Sequence, residues 1–166
     1  MKIRRATLAD IPQLVTLNAP TQNEHAEAMP EKFRTDPPVE DVAEAFRESI
    51  DEPSSFWLVA ETDCEVVGFL KSEFRDREQS WCTIPHRTCY LGGIVVAPSH
   101  RRKGIGRQLV EALQHEARAQ ELPQIELDVF GFNGAAKAMY ENLGFQPVME
   151  RLKLSLDGEK PDSPQG

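Results

Sequence analysis

The period of apolar and polar positions changes several times along this chain, and each change marks an element. Lys2 to Ala6 alternate as a short strand. The run "TLADIPQLVTLN" follows, with Thr7 and Asp10 at capping-box spacing and Ile11, Leu14, Val15 and Asn18 at helical spacing, so a strand feeds a helix. Residues 19 to 38 sustain no period and hold four prolines. They read as a long loop, a feature that is often functional in a compact domain. A second helix is expected from about Val39 to Ile50, where Val39, Val42, Ala43, Phe46 and Ile50 share one face.

The β-rich runs "SFWLVAE" and "VVGFLKSEF" are joined by "TDCE", a hairpin signal, with residues 75 to 87 as the exit loop. "TCYLGGIVV" reads as a fourth strand. Gly92 and Gly93 interrupt it without any propensity reason, and glycines inside a strand mark a bulge or a close approach by backbone or ligand. From Gly104 the pattern is helical, with Ile105, Leu109, Leu113 and Ala117 in step until Pro123 stops it. "IELDVF" is a fifth strand, "NGAAKAMYENLGF" a short helix capped by Asn133 and closed by Gly144, and "VMERLKLSL" a last, partly alternating strand. Residues 157 to 166 should be a solvated tail. The order β-α-α-β-β-β-α-β-α-β predicts an α/β fold with a sheet of mixed strand direction and helices on both faces.

Composition narrows the classes. Apolar residues make up 40% of the 166, charged ones 28%, and the net charge is −8, which describes an acidic globular protein and favours a cationic partner over nucleic acid. No secretory pattern follows Met1, and no apolar run approaches the roughly 20 residues that span a bilayer. A soluble cytoplasmic protein that binds neither membrane nor nucleic acid is the expectation, with a homodimer left open. Cys64, Cys82 and Cys89 are an odd number without CxxC spacing, which suits a reducing compartment. Cys82, His86 and Cys89 could ligate zinc in principle. Structural zinc takes four ligands and no fourth is evident, so a polar loop is preferred and no metal is expected.

The chemistry concentrates in "VVAPSHRRKGIGRQLV". A strand that passes through a glycine-containing turn into a helix start gathers unpaired N–H groups and the positive end of the helix dipole at one point, which is an anion site. Gly104 and Gly106 allow close backbone approach, and Arg101, Arg102, Lys103 and Arg107 can add charge-assisted bonds at the rim; a pyrophosphate fits best. A Walker A loop is excluded because the lysine precedes the glycines. A dinucleotide fingerprint needs Gly or Ala where Leu109 stands. A plain solvated basic helix start is the competing reading.

Two further features bear on the choice. In "IELDVF", Glu126 and Asp128 share the face opposite Ile125, Leu127 and Val129, which suits a central strand opening onto a wet cleft or an edge strand facing solvent. Asn133 and Tyr140 lie two turns apart on one side of a helix, although Tyr140 alone could equally be a half-buried core residue.

Together these segments resemble the GNAT superfamily of acetyl-coenzyme A-dependent N-acetyltransferases. Arg101-x-x-Gly104-x-Gly106 fits the family's (Gln/Arg)-x-x-Gly-x-(Gly/Ala) motif, and Asn133 to Phe145 fits N-x-x-A-x-x-x-Y-x-x-x-G-F. The resemblance implies a single acetyltransferase domain over residues 1–156, with a mixed, mostly antiparallel sheet that splits between the fourth and fifth strands at a bulge. Gly92-Gly93 fits that bulge. It implies acetyl-CoA as cosubstrate, held by backbone along Ile94, Val95 and Val96 and by the turn from Arg101, Arg102, Lys103, Gly104, Ile105 and Gly106 to Arg107. The Ile94 N–H would polarise the thioester carbonyl, Asn133 would contact the coenzyme arm, and Tyr140 would protonate the departing thiolate. Many relatives carry an acidic residue in the fourth strand, where this chain has Tyr90, Gly92 and Gly93. Glu126, Asp128 or Glu73, acting through water, are the candidates for the base that an amine acceptor requires. The expected reaction is direct acetyl transfer to a primary amine in a ternary complex. The acceptor is expected to be a cationic small molecule, with a protein N-terminus or a non-catalytic acyl-CoA sensor as alternatives.

Overall fold

In the computed structural model, which describes residues 1–154 and 156, the alternating start of the chain forms β1 (Lys2–Arg5). It is followed by α1 (Ile11–Ala28), α2 (Val39–Asp51), β2 (Ser55–Thr62), β3 (Glu65–Arg77) and β4 (His86–Val96). Next come α3 (Ile105–Ala119), β5 (Ile125–Leu127) and α4 (Gly134–Asn142). The five strands form one sheet in sequential order. Three antiparallel pairings and one parallel pairing, β4 with β5, make it the mixed sheet expected. The chain divides into two compact units, Met1 to Phe132 and a second beginning at Asn133.

Strand alternation sorts side chains onto two faces. Trp57 and Val59 of β2, Phe69 of β3 and Val95 of β4 pack with Leu14, Leu17, Phe46 and Ile50, so α1 and α2 cover that face. On the other face Gly68 lets α3 approach. A Cβ there would lie 3.0 Å from the Val95 carbonyl and 3.4 Å from the Ile105 side chain. The buried stripe of α3 holds Ile105, Leu109, Leu113 and Ala117, as its period predicts, and also Val110. The β2–β3 hairpin turns on Asp63 and Cys64, both with positive φ (50° and 64°), the geometry that matches strand twist in a two-residue connection.

Around α1 the polar groups are paired tightly. Arg4 grips both oxygens of Asp10 at 2.8 Å and donates through Nε to Glu61 at 2.7 Å. The Thr7 amide also donates to Asp10, at 2.7 Å. The Arg4 guanidinium, opposed by burial and helped by Thr7, holds the Asp10 carboxyl down at about 2.

The expected exit loop of residues 75 to 87 shrinks to 78 to 85, because β3 and β4 pair as far as Arg77 with His86, and three more expectations need correction. First, α1 does not end near Asn18 but continues through Pro20 to Ala28, leaving only residues 29 to 38 as loop. Proline costs the helix one hydrogen bond. Tertiary anchors hold the extra turns in place: Ala26 is buried, Gln22 Nε2 donates to the Arg34 carbonyl at 2.9 Å, and His25 packs among three phenyl rings. Second, β5 stops at Leu127 and not at Phe130, because β4 offers it no ladder past Leu91. Third, no strand forms among the described residues of "VMERLKLSL"; Val148, Met149, Leu152 and Leu154 are exposed, without the neighbour a strand needs. The expected tail, 157–166, lies outside the described residues. No helix among those described is long and apolar enough to cross a membrane.

Candidate active site

The parallel ladder between β4 and β5 consists of Cys89 with Ile125, Tyr90 with Glu126 and Leu91 with Leu127. β4 itself runs on against β3, to Val96 opposite Gly68, so past Leu91 it is paired on one edge and open on the other among the described residues. The β3 register steps from Ser72–Leu91 to Lys71–Gly93, which leaves Gly92 as the extra residue of a bulge. A Cβ on Gly92 would fall 2.9 Å from the Lys71 side chain.

The bulge reverses which amides look outward. Before it, Cys89 donates to the Gln124 carbonyl on the β5 side at 3.3 Å; after it, Ala97 donates to Val67 on the β3 side at 2.9 Å. Because N–H direction alternates along a strand, the amides of Ile94 and Val96 face the open edge, while Val95 turns its amide toward β3 and its side chain into the core. The Val96 carbonyl shares the open side, and Arg101 Nε donates to it at 3.2 Å. Arg101 Nη2 reaches Glu24 of α1 at 3.9 Å, so this side chain straps the end of β4 to α1.

Beyond β4 the backbone twists twice, with Arg102 at φ 60° and Gly104 at φ 79°. Left-handed residues in such a turn aim successive amides into one concavity. No side chain caps α3, and the amides from Arg102 to Arg107 find no acceptor among the described residues. Apart from its chain neighbours, nothing lies within 4 Å of where a Cβ on Gly104 would stand. The first turn of α3 carries no acidic residue to oppose an anion. Arg102 and Lys103 are exposed without an ion-pair partner among the described residues, whereas Arg107 pairs with Glu111 at 3.3 Å.

At the throat of the split, Glu73, Tyr90 and Glu126 stand side by side across three strands, with Arg75 two residues on along β3 and, on the opposite side of that row, Asp128 just past the end of β5. The Tyr90 hydroxyl donates to Asp128 at 3.1 Å, the Arg75 guanidinium lies 3.3 Å from the centre of the Tyr90 ring, and Arg75 Nε donates to Glu73 at 2.5 Å. Burial, then the Asp128 carboxylate, pushes the Tyr90 phenol above its usual range. Glu126 accepts from Gln124 at 2.7 Å. Glu126 and Asp128 are both exposed, facing away from the core side on which Cys89 and Leu91 are buried. Burial raises the Cys89 thiol to about 11, and Cys82 is exposed in the loop.

In the second unit, Asn133 is the N-cap of α4, its side chain accepting from the Ala136 amide at 3.0 Å. Tyr140 packs edge-on against Phe145, 5.6 Å between centroids, and the left-handed Gly144 (φ 92°) ends the helix. Two features of the first unit escaped the sequence reading. One is the Arg75–Tyr90 stack, which a list of carboxylates does not signal. The other is the ring cluster about His25, whose members come from α1, the loop after it and the segment after β5.

An open β4 edge, a bulge and an uncapped, cation-rimmed helix start define a fold built to hold an extended ligand with an anionic group. A model of the acetyltransferase (GNAT) family matches residues 19–145, and the chain belongs to that family. It is an acetyltransferase. It is 27% identical, over 95% of its length and 87% of the relative's, to an N-alpha-acetyltransferase of Sulfurisphaera tokodaii. Among solved structures, a tetramutant of the BH1408 protein from Bacillus halodurans superposes with TM-score 0.88 at 26% identity, covering 94% of this chain and 100% of that one. The aminoglycoside N-acetyltransferase AAC(6′)-Iy, solved with CoA, shares the fold at TM-score 0.72 and 18% identity, with 94% of each chain covered.

Proposed function

We propose that the protein transfers acetyl from acetyl-CoA to a primary amine of a cationic small molecule, by direct attack in a ternary complex. The observation that carries this reading is the pair of open amide groups on one path, Ile94 and Val96 on the β4 edge and those from Arg102 to Arg107 at the start of α3. The thioester arm of acetyl-CoA would lie along the open edge of β4. Its pyrophosphate would take the amides from Arg102 to Arg107, with Arg102 and Lys103 at the rim. Donors fixed in place before reaction stabilise charge that develops on the thioester oxygen without reorganising, and the Ile94 N–H is the one assigned that task.

The acceptor approaches from the face that carries Glu73, Tyr90, Glu126 and Asp128. Glu73, Glu126 and Asp128 outnumber the two cations beside them, Lys71 and Arg75, which suits an incoming ammonium. The ammonium must lose a proton before it can attack, since an alkylamine has a pKa of about 10.4. Asp128, Glu126 and Glu73, acting through water, are the bases at hand. Tyr140 is assigned the proton that the leaving thiolate collects. A second reading, acetylation of a protein N-terminus, is supported by the N-alpha-acetyltransferase relative.

The test follows free thiol release from acetyl-CoA over a panel of polyamines, aminoglycosides and peptides with free α-amines. Polyamines or aminoglycosides are expected to turn over. Turnover of the peptides alone would transfer the assignment to the second reading, and acetyl-CoA binding without any acceptor would leave a sensor.

A further inference from the structure

The last turns of α1 and the segment after β5 meet where the two diverging strands end. Glu24 reaches Arg101 at the end of β4, and the next residue, His25, packs on Phe130 and Phe132 beyond β5. The His25 ring stands nearly perpendicular to Phe33, Phe130 and Phe132, at 5.3, 5.5 and 5.3 Å between centroids. Its Nδ1 donates to the Thr21 carbonyl at 2.7 Å, which fixes the orientation of the ring. Phe33 meets Phe130 edge-on at 5.4 Å. Phe130 and Phe132 stack on each other at 5.6 Å and 14°, which covers one face of each, and the face of an aromatic ring is its negative side.

One cation already uses those faces. Lys32 Nζ lies 4.5 Å from the centre of Phe130 and 5.6 Å from that of Phe33. In a chain with 27 carboxylates, this exposed ammonium pairs with none of those among the described residues and rests on the rings. Phe132 remains 44% exposed, so the cluster is open to solvent.

We propose that the His25 cluster is the recognition platform for an organic ammonium on the acceptor, and that Lys32 is a built-in competitor which the acceptor displaces. This rests on the acetyl-transfer reading and narrows its substrate class. The amine that attacks must be neutral at that moment, so the ammonium on the rings belongs to a second amino group. The acceptor is therefore a diamine or polyamine, with one nitrogen held as a cation while another reacts. Aromatic faces separate such a compound from a monoamine with an apolar tail, because the ring quadrupole attracts charge and not shape.

Tetramethylammonium chloride is the probe, since it presents a cation and has no N–H to accept an acetyl group. Its binding therefore stands or falls independently of turnover. Ring currents should move its methyl proton resonance upfield on titration with the wild-type protein, while tert-butanol, of similar shape and neutral, should not respond. Lys32→Ala should tighten binding about three- to fivefold, and Phe130→Leu should weaken it by about as much, the size of an exposed cation–π contact. Because Lys32 is exposed, its replacement tests the idea even if Phe130→Leu fails to fold. Equal dissociation constants for wild type and Lys32→Ala, or an equal shift with tert-butanol, would overturn the proposal.

Discussion

At the scale of single residues, the reaction turns on where protons sit. Tyr140 lies two turns along α4 from the capping Asn133, with its ring against Phe145. A phenol of pKa about 10 is protonated at neutral pH and can donate to a departing thiolate. Tyr140→Phe keeps the ring and removes that proton. Turnover is expected to fall by about 10², the low end of general-acid contributions, with acetyl-CoA affinity and Tm little changed. Wild-type turnover in a stable Tyr140→Phe protein would take this residue out of the mechanism, and a lowered Tm would assign it to packing. Tyr90 is a different kind of tyrosine. Its hydroxyl donates to Asp128 and its ring lies under Arg75, so it fixes the position of that carboxylate.

At the scale of elements, one extra residue in β4 sets up the site. The Gly92 bulge reverses the amide alternation, so the strand edge that would have continued its ladder with β5 presents the Ile94 and Val96 amides without a strand partner among the described residues. α3 then begins beyond that edge, with its first amides unpaired among the described residues and Gly106 in the first turn. On the proposed placement of the pyrophosphate, a branched side chain at Gly106 would stand in its way. Gly106→Val should weaken acetyl-CoA binding by tenfold or more, about 1.4 kcal/mol, measured by calorimetry on a protein whose circular dichroism is unchanged. Undiminished affinity would separate the helix start from the coenzyme. α1 teaches the converse lesson about elements: Pro20 locally disfavours the helix, yet contacts made by Gln22, His25 and Ala26 carry it on to Ala28.

At the scale of the whole molecule, the chain combines a net charge of −8 with a carboxylate, the one buried among the described residues, that ties elements together. Asp10 joins the start of α1 to Arg4 of β1, and Arg4 joins both to Glu61 of β2. Its carboxyl is lowered from 3.8 to about 2 in the folded chain. A depressed acid contributes stability that is complete above its unfolded value and is lost as pH falls through the folded one. The wild type should therefore lose about 2 kcal/mol from this group between about pH 5 and pH 2, and Asp10→Asn should be less stable at neutral pH but flatter over that window. Urea unfolding at a series of pH values measures both, and parallel acid limbs for the two proteins would exclude Asp10 as the acid-sensitive group. The order of elements, the hairpin at Asp63–Cys64, the buried stripe of α3 and the glycine-rich turn were legible in the sequence, because each depends on local periodicity or backbone freedom. The loop reading of residues 19 to 28, the length of β5 and the last strand were not, since a strand exists only where a neighbour supplies its ladder and a helix can be extended past proline by distant contacts. For the same reason the sequence could place Glu126 and Asp128 on one face and Gly92 in a bulge. Only the tertiary structure could set Tyr90 and Arg75 beside those carboxylates and assemble three phenylalanines around His25, because those neighbours are far apart along the chain and meet only when the sheet has formed.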